Sequence, residues 1–217
     1  MTRPGWFYRF GPLAGPVFTV VFVVGFLVSG NSPDPDAHSL KIAKYLASKS
    51  DYHKNIAVFF LILLVTLALI TFYAALRSRL AEAEGGQTGL PALVLGAGTA
   101  SAVALATGLF LFGIASLAAH DAAKHGDLLD PGIYRVTQDL GYALWVTYSV
   151  LGAIVTWATW GVARRTGALP GWFAWTSLVV GVLCLASFFF FPILLYTVWI
   201  FVAGFVVLRP RVPAVAT

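Results

Sequence analysis

The stretch NIAVFFLILLVTLALITFYAAL, residues 55–76, decides the fold class of this chain because it contains no charged side chain. A helix needs about 20 apolar residues to cross a hydrocarbon core about 30 Å thick. Five further stretches meet or approach that length, so the sequence predicts an all-α, polytopic membrane helical bundle that forms a single domain over residues 1–217. The six transmembrane helices are expected near residues 11–30, 55–76, 90–118, 141–163, 171–190 and 192–208.

Composition agrees with membrane insertion and excludes an ordinary soluble domain. Apolar residues make up 59% of the chain and charged residues only 11%, and the mean hydropathy is +0.84. The net charge of +5 does not indicate a nucleic-acid partner, because the Arg residues stand in pairs beyond apolar runs and form no single basic stripe. The expected partner is the lipid bilayer, whose anionic headgroups attract such pairs.

The charged residues are sorted along the chain in a way that predicts topology. All Asp, Lys and His residues fall in residues 31–54 and 119–140. Basic residues that flank spans are retained in the cytoplasm, so both termini are expected there, in a multi-pass protein of the plasma membrane, with these two segments as outer loops. The Arg residues assigned to the cytoplasmic side are Arg3, Arg9, Arg77, Arg79, Arg164, Arg165, Arg209 and Arg211.

The first outer loop is expected to contain a short amphipathic helix. It opens with turn residues, Asn31 to Asp36, and continues with apolar residues at helical spacing. Such a helix lies on the membrane surface or caps the bundle. The apolar residues in question are Leu40, Ala43, Leu46 and Ala47.

The fourth helix is expected to begin in the second outer loop, where Asp130 is a candidate N-cap and Pro131 suits the first helical position. It would run about 34 residues, or roughly 50 Å. Its outer extension would present two faces, one with Ile133, Val136 and Leu140 and another with Tyr134, Gln138 and Tyr142.

Phe191 and Pro192 separate the last two spans. Proline breaks the helical ladder, so the sequence predicts a tight hairpin or one kinked element, and length favours the hairpin. The only cysteine, Cys184, lies in an apolar run and is interpreted as a small buried hydrophobe in preference to a reactive thiol.

Candidate site residues occur only in the outer loops. His120, Asp121, His125 and Asp127 could act as general acids and bases, and His120 and His125 could bind a metal with His38 or His53. However, a spacing of five places His120 and His125 about 140° apart on a helix. Solvated or hydrogen-bonded histidines are therefore favoured, and no cofactor is predicted.

The spans themselves carry hydroxyl groups but no Asp, Glu, Lys, Arg or His near their centres, which disfavours ion-coupled transport. The third span is the expected packing centre because its small side chains let other helices approach closely, and homo-oligomers could form through it. These residues are Gly96, Gly98, Ala100, Ala102, Ala104, Ala106 and Gly108.

Three segments carry a resemblance to a family of uncharacterised small bacterial, actinobacterial-type integral membrane proteins with a domain of unknown function. They are Phe26 to Asp36, Ala75 to Leu80, and Thr166 to Trp172. The resemblance implies a six-helix bundle, but it implies no activity and no catalytic residue.

Our leading functional hypothesis is a non-enzymatic bundle that binds a lipid-like molecule or serves as an accessory subunit of a membrane complex. The alternative is an enzyme that acts on a lipid or isoprenoid at the outer interface through the outer-loop His and Asp residues. A channel or transporter is the least favoured class, since no charged residue lies within the spans.

Overall fold

The structure, a computed structural model, describes residues 10–29, 32–86, 89–127 and 129–208. Within these ranges the chain is helical and has no strand, which confirms the all-α class. The predictions for Arg3, Arg9, Asn31, Arg209 and Arg211 lie outside the described residues. The α-helices are α1 (Ala14–Ser29), α2 (Ser39–Leu46), α3 (Lys49–Ala83), α4 (Gly89–Lys124), α5 (Pro131–Thr166), α6 (Gly171–Cys184) and α7 (Phe191–Leu208).

Five helical stretches are long and apolar enough to cross a membrane, which indicates a multi-pass membrane protein. They correspond to five of the six predicted spans, although the second, third and fourth extend further than predicted. The stretches are Gly11–Ser29, Tyr52–Ala83, Gly89–Lys124, Pro131–Thr166 and Phe191–Leu208.

The sixth candidate, α6, ends earlier than the sequence indicates. It has 14 residues, so it is roughly 21 Å long, less than a hydrocarbon core of about 30 Å. A 3-10 turn, Ser187–Phe189, and a positive φ of 61° at Phe190 then reverse the chain. Pro192 lies in the first turn of α7, where its missing N–H is tolerated. α6 and α7 pack against each other as a hairpin. The break between these helices begins several residues before Phe191 and Pro192, where the sequence predicts it.

The bundle exposes large apolar side chains and buries small polar ones. Leu27, Phe60 and Leu67 are 74%, 67% and 64% exposed, whereas the hydroxyl-bearing Ser101 and Thr156 are fully buried. Most of the buried hydroxyl groups donate a hydrogen bond to a carbonyl oxygen of the preceding helical turn or of a neighbouring helix, as Thr156 and Ser101 do. A soluble domain would reverse this arrangement, so the surface pattern supports a hydrocarbon surrounding.

The six longer helices form a closed ring in which each contacts the next, in the order α1, α3, α4, α5, α6, α7 and back to α1. The most extensive contact joins α4 and α5. There the backbones approach so closely that a Cβ on Gly108 would lie 2.8 Å from the carbonyl oxygen of Gly141. The predicted close approach of other helices to α4 is present at Gly98 and Gly108, whereas Gly96 faces open space.

Two tyrosines close the middle of the ring. The hydroxyl groups of Tyr73 on α3 and Tyr196 on α7 lie 2.7 Å apart and share a hydrogen bond. The Tyr73 ring rests on Gly98 of α4, and the Tyr196 ring rests on Gly152 of α5. Four helices therefore meet at this pair, and Cys184 is fully buried in the same core, as predicted.

The two ends of the bundle differ in charge, as the sequence predicts. At one end, which we call the Arg end because it holds Arg77, Arg79, Arg164 and Arg165, the Arg165 guanidinium forms an ion pair of 3.0 Å with Glu84. At the other end, the loop end, residues 32–54 and 119–140 come together.

The predicted start of α5 is confirmed. The Asp130 carboxylate accepts a hydrogen bond of 2.8 Å from the Gly132 backbone N–H, and Pro131 takes the first helical position. The helix runs 36 residues. Its extension at the loop end has the two predicted faces, because Ile133, Val136 and Leu140 are exposed, while Tyr134 and Gln138 are buried and Tyr142 is half-buried.

The predicted helix of the first loop is also present, as α2, but its buried face agrees with the predicted one only at Leu46. Ile42 and Leu46 are buried, whereas Leu40 is 75% exposed. Spacing alone could not distinguish these faces, since both carry apolar residues three or four positions apart. The structure therefore shows α2 packed on the bundle through Ile42, and not through Leu40 and Ala43.

Candidate functional site at the loop end

The two segments at the loop end are joined by two neighbouring residues of α5. The Tyr134 hydroxyl donates a hydrogen bond of 2.6 Å to the carbonyl oxygen of Pro33. The Arg135 guanidinium donates to the carbonyl oxygens of Pro35 and Ala37, at 3.0 and 3.3 Å, and to the Ser39 hydroxyl at 3.2 Å. These four bonds, which we call the Arg135 clamp, fix the chain that leads into α2.

Below the clamp, α2 covers the end of the bundle as a roof. Ile42 and Leu46 form a small apolar cluster with Ala115 and Ala119 of α4 and with Tyr134 of α5. The ring of Tyr45 meets the ring of Tyr134 edge-on, with 6.0 Å between the centroids. The roof therefore touches the ends of both α4 and α5.

A cavity of about 260 Å³ lies under this roof, inside the ring of helices. Phe26 and Ser32 are the exposed residues of its lining, so we place the rim there, at the loop end of α1. The lining residues come from five helices and the first loop: Val21, Phe22, Gly25, Phe26, Ser29, Ser32, Tyr45, Asn55, Val58, Phe59, Leu61, Ile62, Val65, Leu109, Phe112, Gly113, Gln138 and Trp145.

The position of the cavity follows from the unequal lengths of the helices. Tyr142 of α5 donates a hydrogen bond of 2.6 Å to the carbonyl oxygen of Phe188, so the α6–α7 turn lies level with Tyr142. α5 begins at Pro131 and thus rises roughly 16 Å above this turn. Above the turn the ring lacks two of its six helices, which leaves space between α1 and α5.

Aromatic rings form the deep end of the cavity. Trp145 stands at the centre of this group, with ring centroids 6.0 Å from Phe22, 5.2 Å from Phe112 and 5.8 Å from Phe190. Such edge and offset arrangements are favourable and leave rigid walls. The Trp145 indole Nε1–H is buried and has no hydrogen-bond partner among the described residues, so this end is aromatic with one spare donor.

Two amide side chains stand nearer the roof. Asn55 and Gln138 are 7% and 8% exposed. The Asn55 amide N–H donates to the Tyr45 hydroxyl at 3.4 Å, and the Gln138 amide N–H donates to the Phe112 carbonyl oxygen at 3.1 Å. Burying an amide side chain costs desolvation free energy, and hydrogen bonds made by its N–H and C=O groups offset this cost.

Of the four histidines predicted as site residues, the structure brings His53 and His120 to the same tyrosine, whereas His38 has a different local contact. His38 caps α2, its ring Nδ1 accepting a hydrogen bond of 3.3 Å from the Leu40 backbone N–H. The rings of His53 and His120 both contact Tyr52, at centroid distances of 5.5 and 3.9 Å, and the His120 contact is a parallel stack. His125 is exposed just beyond α4.

The predicted acidic residues lie on the surface near these histidines. Asp121 pairs with Lys124 at 3.4 Å, with both side chains mostly exposed. Asp127 lines an open groove between α2 and the end of α4, together with His120 and Lys124. Among the described side chains, no three His, Cys, Asp or Glu residues lie close enough together to hold a metal ion. The acid–base role of His120, Asp121, His125 and Asp127 stays a prediction.

The structure thus places two residues in the cavity that the sequence did not single out as a site. Asn55 is the first residue of the second predicted span, and Gln138 lies on one predicted face of the fourth helix. The available signal was their position, since each is an uncharged polar residue within an otherwise apolar helix face.

A search against family models, curated proteins and solved structures finds no match to this chain.

Proposed function

We propose that this chain is a non-enzymatic, multi-pass protein of the plasma membrane that binds a lipid-like molecule in the cavity at its loop end. One observation carries the proposal. An apolar, aromatic cavity with two buried amides near its roof opens sideways between exposed apolar residues, beside Phe26. Ligand pockets combine apolar walls with a few polar groups in this way.

In the proposed topology, α6 and α7 complete six spans and both termini are cytoplasmic. The Arg end then faces the cytoplasm, as retention of basic residues requires. The cavity accordingly opens at the outer membrane interface, where an amphiphile can enter from the bilayer with its polar head near the roof.

Single-cysteine labelling in intact cells tests this topology. In a Cys184→Ala background, we expect His125→Cys to react with a membrane-impermeant maleimide. Gly89→Cys, at an exposed position where an added Cβ would meet nothing within 4 Å, should react only after permeabilisation. The reverse pattern would overturn the orientation, and equal labelling of both in sealed cells would overturn membrane spanning.

Native mass spectrometry of the purified protein tests ligand binding. Gly25 lines the cavity, and a Cβ there would lie 3.7 Å from the Leu61 Cδ1 atom, an ordinary contact. A larger side chain can therefore fill the cavity without disturbing the helix backbone. We expect the wild type to carry a bound apolar molecule and Gly25→Leu to reduce its occupancy about tenfold, a loss of about 1.4 kcal/mol of binding.

The matched control is Val24→Leu, because Val24 is the preceding residue of α1, is 43% exposed and does not line the cavity. This variant should keep the wild-type occupancy. Equal ligand content in Gly25→Leu and Val24→Leu, or no bound molecule in the wild type, would contradict the proposal.

A further inference from the structure

The cavity has two chemically different ends, and this difference restricts what it can bind. Phe22, Phe112 and Trp145 surround the deep end with ring-to-ring contacts, and its one unpartnered donor among these three side chains is the Trp145 indole N–H. Tyr45, Asn55 and Gln138 offer hydroxyl and amide groups nearer the roof. An occupant therefore needs an apolar part and a polar part in one molecule.

The lining side chains carry no ionised group to match a charged head. The described lining residues include no Asp, Glu, Lys, Arg or His. By contrast, the charged residues Lys124 and Asp127 line the separate groove between α2 and the end of α4. An ion buried without a partner costs several kcal/mol even after relaxation, so this cavity selects against phosphate and carboxylate heads.

The amides retain hydrogen-bonding capacity after their contacts within the protein. Each amide group has two N–H donors and one carbonyl acceptor. The described bonds from Asn55 to Tyr45 and from Gln138 to Phe112 use one N–H of each. One further donor and one acceptor on each side chain can therefore face a ligand, which suits a hydroxyl or carbonyl group.

The volume restricts the size of the occupant. A cavity of about 260 Å³ lies just below the range of roughly 300–1,000 Å³ that holds a complete small-molecule ligand. A lipid with two acyl chains does not fit. A single chain can place its head and first segment inside and continue outward past the rim at Phe26.

We propose that the ligand is an uncharged single-chain amphiphile whose hydroxyl or carbonyl head binds Asn55 and Gln138, with Tyr45 above it. This assignment rests on the proposed function of the cavity as a lipid-binding site. Beyond that function, the assignment specifies an uncharged head, a single chain and the residues that bind the head.

A pair of photoreactive probes with the same chain tests this assignment. A diazirine-bearing decanol and its phosphate monoester are each added to the protein in phosphatidylcholine nanodiscs, and crosslinked peptides are quantified. We expect the alcohol to label peptides of α1, α3 and α5 about tenfold more than the phosphate does. The double variant Asn55→Leu/Gln138→Leu should reduce alcohol labelling to the level of the phosphate.

The control variant is Thr147→Val, which removes an exposed hydroxyl bonded within α5 and outside the cavity; it should label like the wild type. If both probes label the wild type equally and Gly25→Leu abolishes this labelling, the preference for an uncharged head is wrong, while the cavity is still the binding site. Labelling by neither probe, or labelling that Gly25→Leu does not reduce, would overturn both. The wild-type comparison of the two probes decides the point even if the double variant does not fold.

Discussion

Replacing Arg135 by alanine is expected to release the segment that leads into α2 and to expose the roof of the cavity. The guanidinium donates three described hydrogen bonds, to Pro35, Ala37 and Ser39. Hydrogen bonds from a charged donor contribute about 1.5–3 kcal/mol each when well buried, and this side chain is only half-buried. A total of about 3 kcal/mol corresponds to an increase of roughly 100-fold in local opening.

Hydrogen exchange of the α2 backbone amides measures this opening. Arg135→Lys should restore only part of the protection, because an ammonium group cannot reproduce the planar fork of the guanidinium. Lys41→Ala is the control, since Lys41 is an exposed residue of α2 outside the clamp. Unchanged α2 protection in Arg135→Ala would show that the clamp does not hold the roof.

Gly98→Ala is expected to destabilise the whole bundle. Its Cβ would meet the Tyr73 ring at the Cγ atom and lie within 2.8 Å of two further ring atoms. The ring has little freedom to move away, because its hydroxyl is bonded to Tyr196, whose own ring rests on Gly152. Overpacking of this kind typically costs about 1–3 kcal/mol, which lowers the Tm of a chain this size by roughly 2–4 °C per kcal/mol.

Gly96→Ala is the matched control on the same helix, two residues earlier, where an added Cβ meets nothing within 4 Å. In thermal unfolding of the purified protein, this variant should melt at the wild-type temperature or slightly above it, since alanine favours helix more than glycine. Equal melting temperatures for Gly98→Ala and Gly96→Ala would contradict the packing of Tyr73 on α4.

The helices were predictable where a local signal determines them. Uninterrupted apolar runs identified the long helices, and Asp130 with Pro131 marked the start of α5 because the cap depends on neighbouring residues. The end of α6 was misplaced because Pro192 is the stronger sequence signal. The chain instead reverses through a 3-10 turn, Ser187–Phe189, whose largely apolar sequence still looks helical.

The site was less predictable because its contacts join distant parts of the chain. The bonds of the Arg135 clamp join residues separated by about 100 positions. Arg135 did stand apart in the sequence, as the one Arg within the two segments predicted to be outer loops, but most of its partners are backbone carbonyls, which leave no sequence pattern. The cavity itself results from the short α6–α7 hairpin beside a long α5, and neither length is read reliably from hydropathy alone.

A density map of the wild-type protein in lipid nanodiscs, at a resolution that shows side chains, tests most directly whether the cavity is a binding site. We predict continuous elongated density, with one end within hydrogen-bonding distance of Asn55 or Gln138, the next segment against Phe22 and Trp145, and the rest leaving the cavity past Phe26. A cavity that holds only ordered water, or one that has closed by contact between Phe26 and Phe59, would contradict this account.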